Sequence, residues 1–191
     1  MAKESTFKNM TICLTAVCLL CSALLGVVYV LTQKPIADAA LAKTNNAIAL
    51  VVPEFDNVPS DEKREIECAG EKFVYYTAKK GEEVVGYAIE TSTSKGFSGT
   101  IKAMVGFNTN GDIVSISVLS HSETPGLGAK MTDPSFAGQF EGKNPSSFKL
   151  AVRKDGGDID AITASTITSR AYADAVQKAY NAFNEIVANN K

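Results

Sequence analysis

A chain of 191 residues and 20.2 kDa has room for one globular domain plus an accessory segment, which excludes multidomain enzymes and long repeat arrays. Its 19 Lys and Arg against 21 Asp and Glu leave a formal charge of -2, and no basic run occurs that could neutralise a phosphate backbone. Nucleic acid is therefore not an expected partner.

The apolar 45% of the chain is unevenly spread. Asn9 to Gln33 (NMTICLTAVCLLCSALLGVVYVLTQ) runs for 25 residues without a charge. At about 1.5 Å per helical residue this exceeds the roughly 30 Å hydrocarbon core of a bilayer, so it can span with some tilt. The run is longer than the apolar core of a cleaved signal peptide, and no A-x-A site closes it. A lipoprotein anchor needs a small residue before the modified cysteine, whereas Val17 precedes Cys18 and Leu20 precedes Cys21. The reading is a short cytoplasmic tail at 1–8 and one retained transmembrane helix at 9–33. Lys3 and Lys8 before the span nearly balance Lys34 and Lys43 after it, but the short tail and large following domain favour an extracytoplasmic domain. Cys13, Cys18 and Cys21 lie in the span. The soluble part keeps Cys68 and the single histidine, His121, so neither an internal disulfide nor a metal site is expected.

Beyond the span, Ile36, Ala39, Ala40, Ala47, Ile48 and Val51 recur at helical spacing, which predicts that the anchor continues into an amphipathic stalk. Pro53 and Pro59 end it, so 34–59 is read as stalk helix and linker and 60–191 as the domain. The charged residues 60–70 read as a connection. Four strands follow at 72–78, 83–91, 100–108 and 112–119, with turn signals at Lys80-Gly81 and Asn110-Gly111. Tyr75 and Tyr76 fall on opposite faces of the first. Residues 120–148 are irregular, with a short helix expected at Pro134–Phe140. A last helix from Ser169 to about Ala188 aligns Tyr172, Ala175, Val176, Ala179, Phe183, Ile186 and Val187 in one stripe. The expected fold is α+β: an antiparallel sheet packed by a C-terminal helix, preceded by one N-terminal transmembrane helix.

Two segments are neither periodic nor simply turn-like. Ser120 to Gly128 (SHSETPGLG) follows a predicted core strand, and its proline and glycines would hold exposed amides close to a flat or anionic ligand. A turn capped by His121 and Glu123 is the alternative. Asp160 to Ser169 (DAITASTITS) runs into the last helix with more hydroxyls than an N-cap needs, beside a helix N-terminus suited to a phosphate ester. An N-cap followed by β-branched residues is the alternative there.

TASTITSRAYADAV, preceded by Asp160, resembles the flavinylation motif of the FMN-binding domain family: Asp, two variable residues, Ser or Thr, Gly, Ala, Thr. HSETPGLGAKM resembles the ETPGLG loop of the same family. With one N-terminal anchor, this order resembles the G subunit of the Rnf electron-transport complex, a relative of the C subunit of the sodium-translocating NADH:quinone reductase. Position by position, Asp160 matches the motif aspartate, Thr163 its Ser or Thr, and Thr166 the acceptor. Ala164 stands where glycine is usual and Ser165 where alanine is usual.

The resemblance implies FMN bound covalently, its phosphate esterified to Thr166 by a separate flavin transferase, with Ser165 and Thr168 as alternative acceptors. It implies that Glu123, Thr124, Pro125, Gly126, Leu127 and Gly128 lie against the isoalloxazine ring. His121, Thr124 and Lys130 are the implied hydrogen-bonding side chains. Because flavin carries the redox work, no catalytic constellation is expected. The implied protein is an electron-transfer subunit, incomplete as an enzyme alone, of an ion-translocating ferredoxin:NAD oxidoreductase in the bacterial inner (cytoplasmic) membrane. Other membrane and redox subunits of that complex are its implied partners. Two rivals stay open: an anchored binding or assembly module without flavin, and an anchored hydrolase pairing Ser120 or Ser122 with His121. Against the second, no G-x-S-x-G nucleophile elbow occurs.

Overall fold

The helix begun by the uncharged stretch does not stop at Gln33. In the computed structural model, which describes residues 6–189, it runs unbroken as α1 (Phe7–Val51) and passes through Pro35. Residues 1–5 of the predicted tail lie outside the described residues. Helix α1 is long and apolar enough to cross a membrane, and Leu14, Leu20, Leu25 and Leu31 all stand exposed along it. Apolar side chains exposed around a helix suit lipid rather than water.

The chain divides into two compact units, Met1–Lys43 and Thr44–Lys191. The second takes in the end of α1 and the segment read as linker. Of the predicted stalk face only Ala47, Ile48 and Val51 are buried, whereas Ile36 is exposed. Residues 53–59 are held in place by hydrogen bonds. Asp56 N–H donates to Lys79 O (2.9 Å), and Asn57 brackets the strand, donating from Nδ2 to Thr77 O (3.0 Å) and accepting Lys79 N–H (2.9 Å).

The sheet has five strands rather than four: β1 (Arg64–Cys68), β2 (Glu71–Lys80), β3 (Glu83–Gly96), β4 (Gly99–Asn108) and β5 (Ile113–Ser120). All neighbours are antiparallel in the order β1-β2-β3-β4-β5. Strand β1 escaped the sequence reading because Arg-Glu-Ile-Glu-Cys shows no apolar run. Its pairing comes from the tight Ala69-Gly70 turn, where both residues have positive φ (52° and 79°). Strand β3 extends past Thr91 to Gly96, where a short tip at Phe97-Ser98 turns it into β4.

Helix α3 (Thr166–Asn189) covers one face of the sheet. Tyr172, Val176, Ala179, Phe183 and Ile186 pack with Tyr75, Tyr87, Ile89, Ile101, Val105 and Phe107, and Phe183 stacks obliquely on Phe107 with centroids 5.1 Å apart. Ala47, Ile48, Val51 and Val52 cover the other face over Tyr76, Ala78, Ala88 and Met104. Tyr75 and Tyr76 thus point to opposite faces, as alternation requires. Two boundaries move. Helix α3 starts at Thr166, three residues before Ser169, because its first turn is built from β-branched hydroxyl residues that read as cap or strand. Helix α2 (Pro134–Ala137) stops short of Phe140, which is buried against Phe136 and Tyr172.

Candidate functional site

Beyond Ser120 the backbone turns sharply. Thr124 O accepts both Leu127 N–H and Ala129 N–H (3.2 Å each), with Pro125 and then Gly126 at the corner. Gly126 has φ 76°, the left-handed conformation that a proline-led turn of this kind asks of its third residue. His121 Nδ1 accepts Glu123 N–H (3.2 Å), so this imidazole organises its own loop.

Glu123 is the hub of the region. Only 5% exposed, it accepts the Thr168 hydroxyl proton at Oε2 (2.9 Å) and Ser98 N–H at Oε1 (3.1 Å). Both carboxylate oxygens are therefore satisfied out of water, as a buried acceptor must be. Gly128 makes room for it, since a Cβ there would overlap Glu123 Oε2 and lie 2.8 Å from Thr168 Oγ1.

The hydroxyl segment is shaped by its own bonds. Ser165 N–H donates to Ile162 O (3.0 Å), closing a four-residue turn whose third residue, Ala164, has φ 60°. This is the position at which the resembling motif carries glycine, and the strain on an L-residue there is about 1–2 kcal/mol. Buried Ser169 clamps the turn to the helix, accepting Ile162 N–H (2.9 Å) and donating to Ser165 O (3.0 Å). Thr166 then opens α3. Amides of a first helical turn have no carbonyl within the helix to bond, and they sit at the positive end of its dipole.

The two segments meet at a cavity of about 340 Å³. The loop contributes Glu123, Thr124, Leu127 and Gly128, the helix start contributes Ala164 to Thr168, and the β3–β4 tip contributes Phe97. Its size is within the range of small-molecule sites. Among the described residues, no lysine or arginine lines it. Two cations on the adjoining elements are engaged elsewhere: Arg170 grips Asp155 through Nε and Nη2 (2.7 and 2.8 Å), and Lys95 pairs with Asp174 (2.6 Å). The guanidinium of Arg170 holds the Asp155 carboxyl below the usual range. Burial would raise that of Asp174, but hydrogen bonds from Lys95 and Thr93 together hold it below. Of the motif hydroxyls in the cavity, Thr168 is 1% exposed and spends its proton on Glu123, and Ser165 is 8% exposed. Thr166 is half-buried and open. Leu127 and Ile167 stay 44% and 49% exposed beside it. An anionic group at the amides and a flat apolar body beyond them would both be accommodated.

Other predicted site residues fall outside this cavity. Lys130, Asp160 and Thr163 line a neighbouring cavity of about 270 Å³ with Ser135, Phe136 and Gln139. Asp160 pairs with Arg153 (2.8 Å), and its backbone exchanges two hydrogen bonds with the Gln139 side chain (2.8 and 3.1 Å). His121, Pro125 and Gly126 line neither cavity. Sequence reasoning missed Phe97, Ile167 and the roles of Ser98 and Ser169. An aromatic between two glycines (GFSG) was a readable signal for the first, whereas the inward turn of Ser169 depends on the tertiary structure.

Residues 96–181 match the family described as FMN-binding domain. The G subunit of the ion-translocating oxidoreductase complex of Shewanella piezotolerans is 34% identical over 197 residues, covering 96% of this chain and 92% of the relative. The G subunit of a proton-translocating ferredoxin:NAD(+) oxidoreductase complex from Clostridium ljungdahlii is 31% identical over 169 residues, covering 87% and 85%. Among solved structures, Shewanella oneidensis NqrC matches at 21% identity and a TM-score of 0.43, over 58% of this chain and 54% of that one.

Proposed function

Because this chain belongs to the family of ion-translocating oxidoreductase complex G subunits, we propose that it is a membrane-anchored flavoprotein subunit relaying electrons through FMN esterified to Thr166. The observation that carries the reading is the Thr166 hydroxyl, half-buried at the first residue of α3 in a cavity shared with the Glu123–Gly128 loop. A phosphate ester on that oxygen would meet the free first-turn amides and the positive dipole end, which suits a cavity without lysine or arginine. Thr168 is a poorer acceptor because its proton is committed to Glu123, and Ser165 because it is buried. Leu127 and Ile167 supply apolar surface for the ring. When bound, FMN supplies the electron-transfer chemistry. The chain's own work is to hold, orient and partly dehydrate the ligand.

The assignment of 9–33 as the span, 1–8 as cytoplasmic and the domain as extracytoplasmic is part of this proposal. It gives covalent attachment a purpose, since free FMN would be lost from that side of the membrane. Exposed Asp160 and Thr163, on the neighbouring cavity, are offered to the flavin transferase during maturation. Other redox subunits of the complex would deliver and remove the electrons, between ferredoxin and NAD in the manner of the Clostridium relative's name.

Co-expression with a flavin transferase tests the reading by in-gel flavin fluorescence after denaturation. Wild type, Ser165→Ala and Thr168→Ala are expected to fluoresce, and Thr166→Ala to be dark. A dark wild type would instead support an anchored module without flavin. Fluorescence surviving in Thr166→Ala would move the site to another hydroxyl.

A further inference from the structure

Phe97 is aromatic yet 69% exposed, at the tip where Gly96 and Gly99 pair to turn β3 into β4. It lines the same cavity as Thr166. The tip is tied there through one buried side chain: Ser98 N–H donates to Glu123 Oε1 (3.1 Å), and Glu123 Oε2 accepts the Thr168 hydroxyl (2.9 Å). Hairpin tip, Glu123 loop and first turn of α3 are thereby joined, at a site where losing the carboxylate would strand the buried Thr168 hydroxyl. Single exposed apolar residues need no explanation. Here three of them, Phe97, Leu127 and Ile167, border one cavity whose other side chains are largely hydroxylic.

We propose that Phe97 is a flavin-binding residue: the β3–β4 tip forms a third wall of the site, with the Phe97 ring against the isoalloxazine. Glu123 is the positioning residue that holds the tip to the start of α3. This rests on reading the cavity as the flavin site. An aromatic ring against a fused planar heterocycle gains offset-stacking and dispersion contacts, and it removes water from that ring face. A ring so exposed on the chain alone becomes buried by its ligand, which accounts for an aromatic residue at a two-residue tip.

The test uses the full chain in detergent, matured with a flavin transferase. The protein contains no tryptophan, so Phe97→Trp places a single indole at the tip. An indole in contact with an excited flavin quenches it by electron donation. The variant is expected to carry the same adduct mass as wild type with native flavin emission several-fold weaker, recovered on unfolding. Phe97→Ala is expected to keep its emission but to become several-fold more sensitive to quenching by iodide. Before flavin loading both should unfold at the wild-type temperature, because on the chain alone the side chain is mostly exposed. Glu123→Gln, keeping its adduct, should approach the iodide sensitivity of Phe97→Ala, and unchanged sensitivity would overturn the positioning role. Fully loaded Phe97→Trp and Phe97→Ala proteins with wild-type emission and iodide response would overturn the third wall. A wild type without adduct would overturn the flavin reading of the cavity, and this inference with it.

Discussion

Gly106 lies in β4 beneath the end of α1, and of the glycines it leaves the least room for a new methyl group. A Cβ there would overlap the Val51 carbonyl group and stand 2.9 Å from Val51 Cβ. The obstruction is backbone, so no side-chain rotation relieves it, and the end of α1 must lift from the sheet. Ile48 and Val51 are 1% and 0% exposed against Tyr76, Ala78, Ala88 and Met104. Full exposure of those two side chains would cost roughly 3–6 kcal/mol. Partial relaxation sets the expected loss at about 2–4 kcal/mol. Denaturant unfolding of the full chain in detergent, followed by near-ultraviolet circular dichroism, reads chiefly this domain, which holds five of the six tyrosines. Amide exchange at residues 47–52 should accelerate in the variant. A Gly106→Ala protein within about 0.5 kcal/mol of wild type, in the range of ordinary surface changes, would refute the packing argument.

Ala164→Gly removes left-handed strain from the motif turn, and after the greater flexibility of unfolded glycine a gain of about 0.5–1 kcal/mol is expected in thermal unfolding; a loss would contradict the turn as described. Gly128→Ala pushes a methyl into Glu123 Oε2 and the Thr168 hydroxyl, so a loss of about 1–3 kcal/mol is expected, together with reduced flavin loading. Asp155 and Asp174 have carboxyls held below the ordinary range, so their contribution is complete above that range and disappears as pH falls through the lowered values. Unfolding measured across pH should therefore show stability dropping below about pH 4, with a shallower drop in Asp174→Asn. An identical slope in that variant would remove Asp174 from the account.

Much of the fold was readable because hydrophobic period and turn chemistry agreed. The stripe from Tyr172 to Val187 could only be a helix face, and Asn110-Gly111 between alternating segments could only be a hairpin. Strand β1 was not readable, since Glu65, Ile66 and Glu67 announce no buried face and the strand exists by pairing with β2. The covering of the second sheet face was hidden for another reason. It depends on Gly106 admitting the Val51 backbone, and a glycine in a strand does not say what approaches it. At the site, the two motifs stood out as departures from periodicity, and the fold brings Glu123, Leu127 and Thr166 to one cavity. Phe97 comes to that cavity from a distant part of the chain, through a hydrogen bond between Ser98 and Glu123 that no spacing rule anticipates. Asp160 belongs to the neighbouring cavity because Gln139 holds its backbone there.

Peptide mapping tests the central claim most directly. Trypsin cutting after Lys154 and Arg170 releases 155–170, which carries Thr163, Ser165, Thr166, Thr168 and Ser169 together. Fragmentation of that peptide from protein matured with a flavin transferase is expected to place one FMN phosphoester on Thr166, with the other four hydroxyls bare. A peptide without flavin, or with the ester on any of those four, would contradict it.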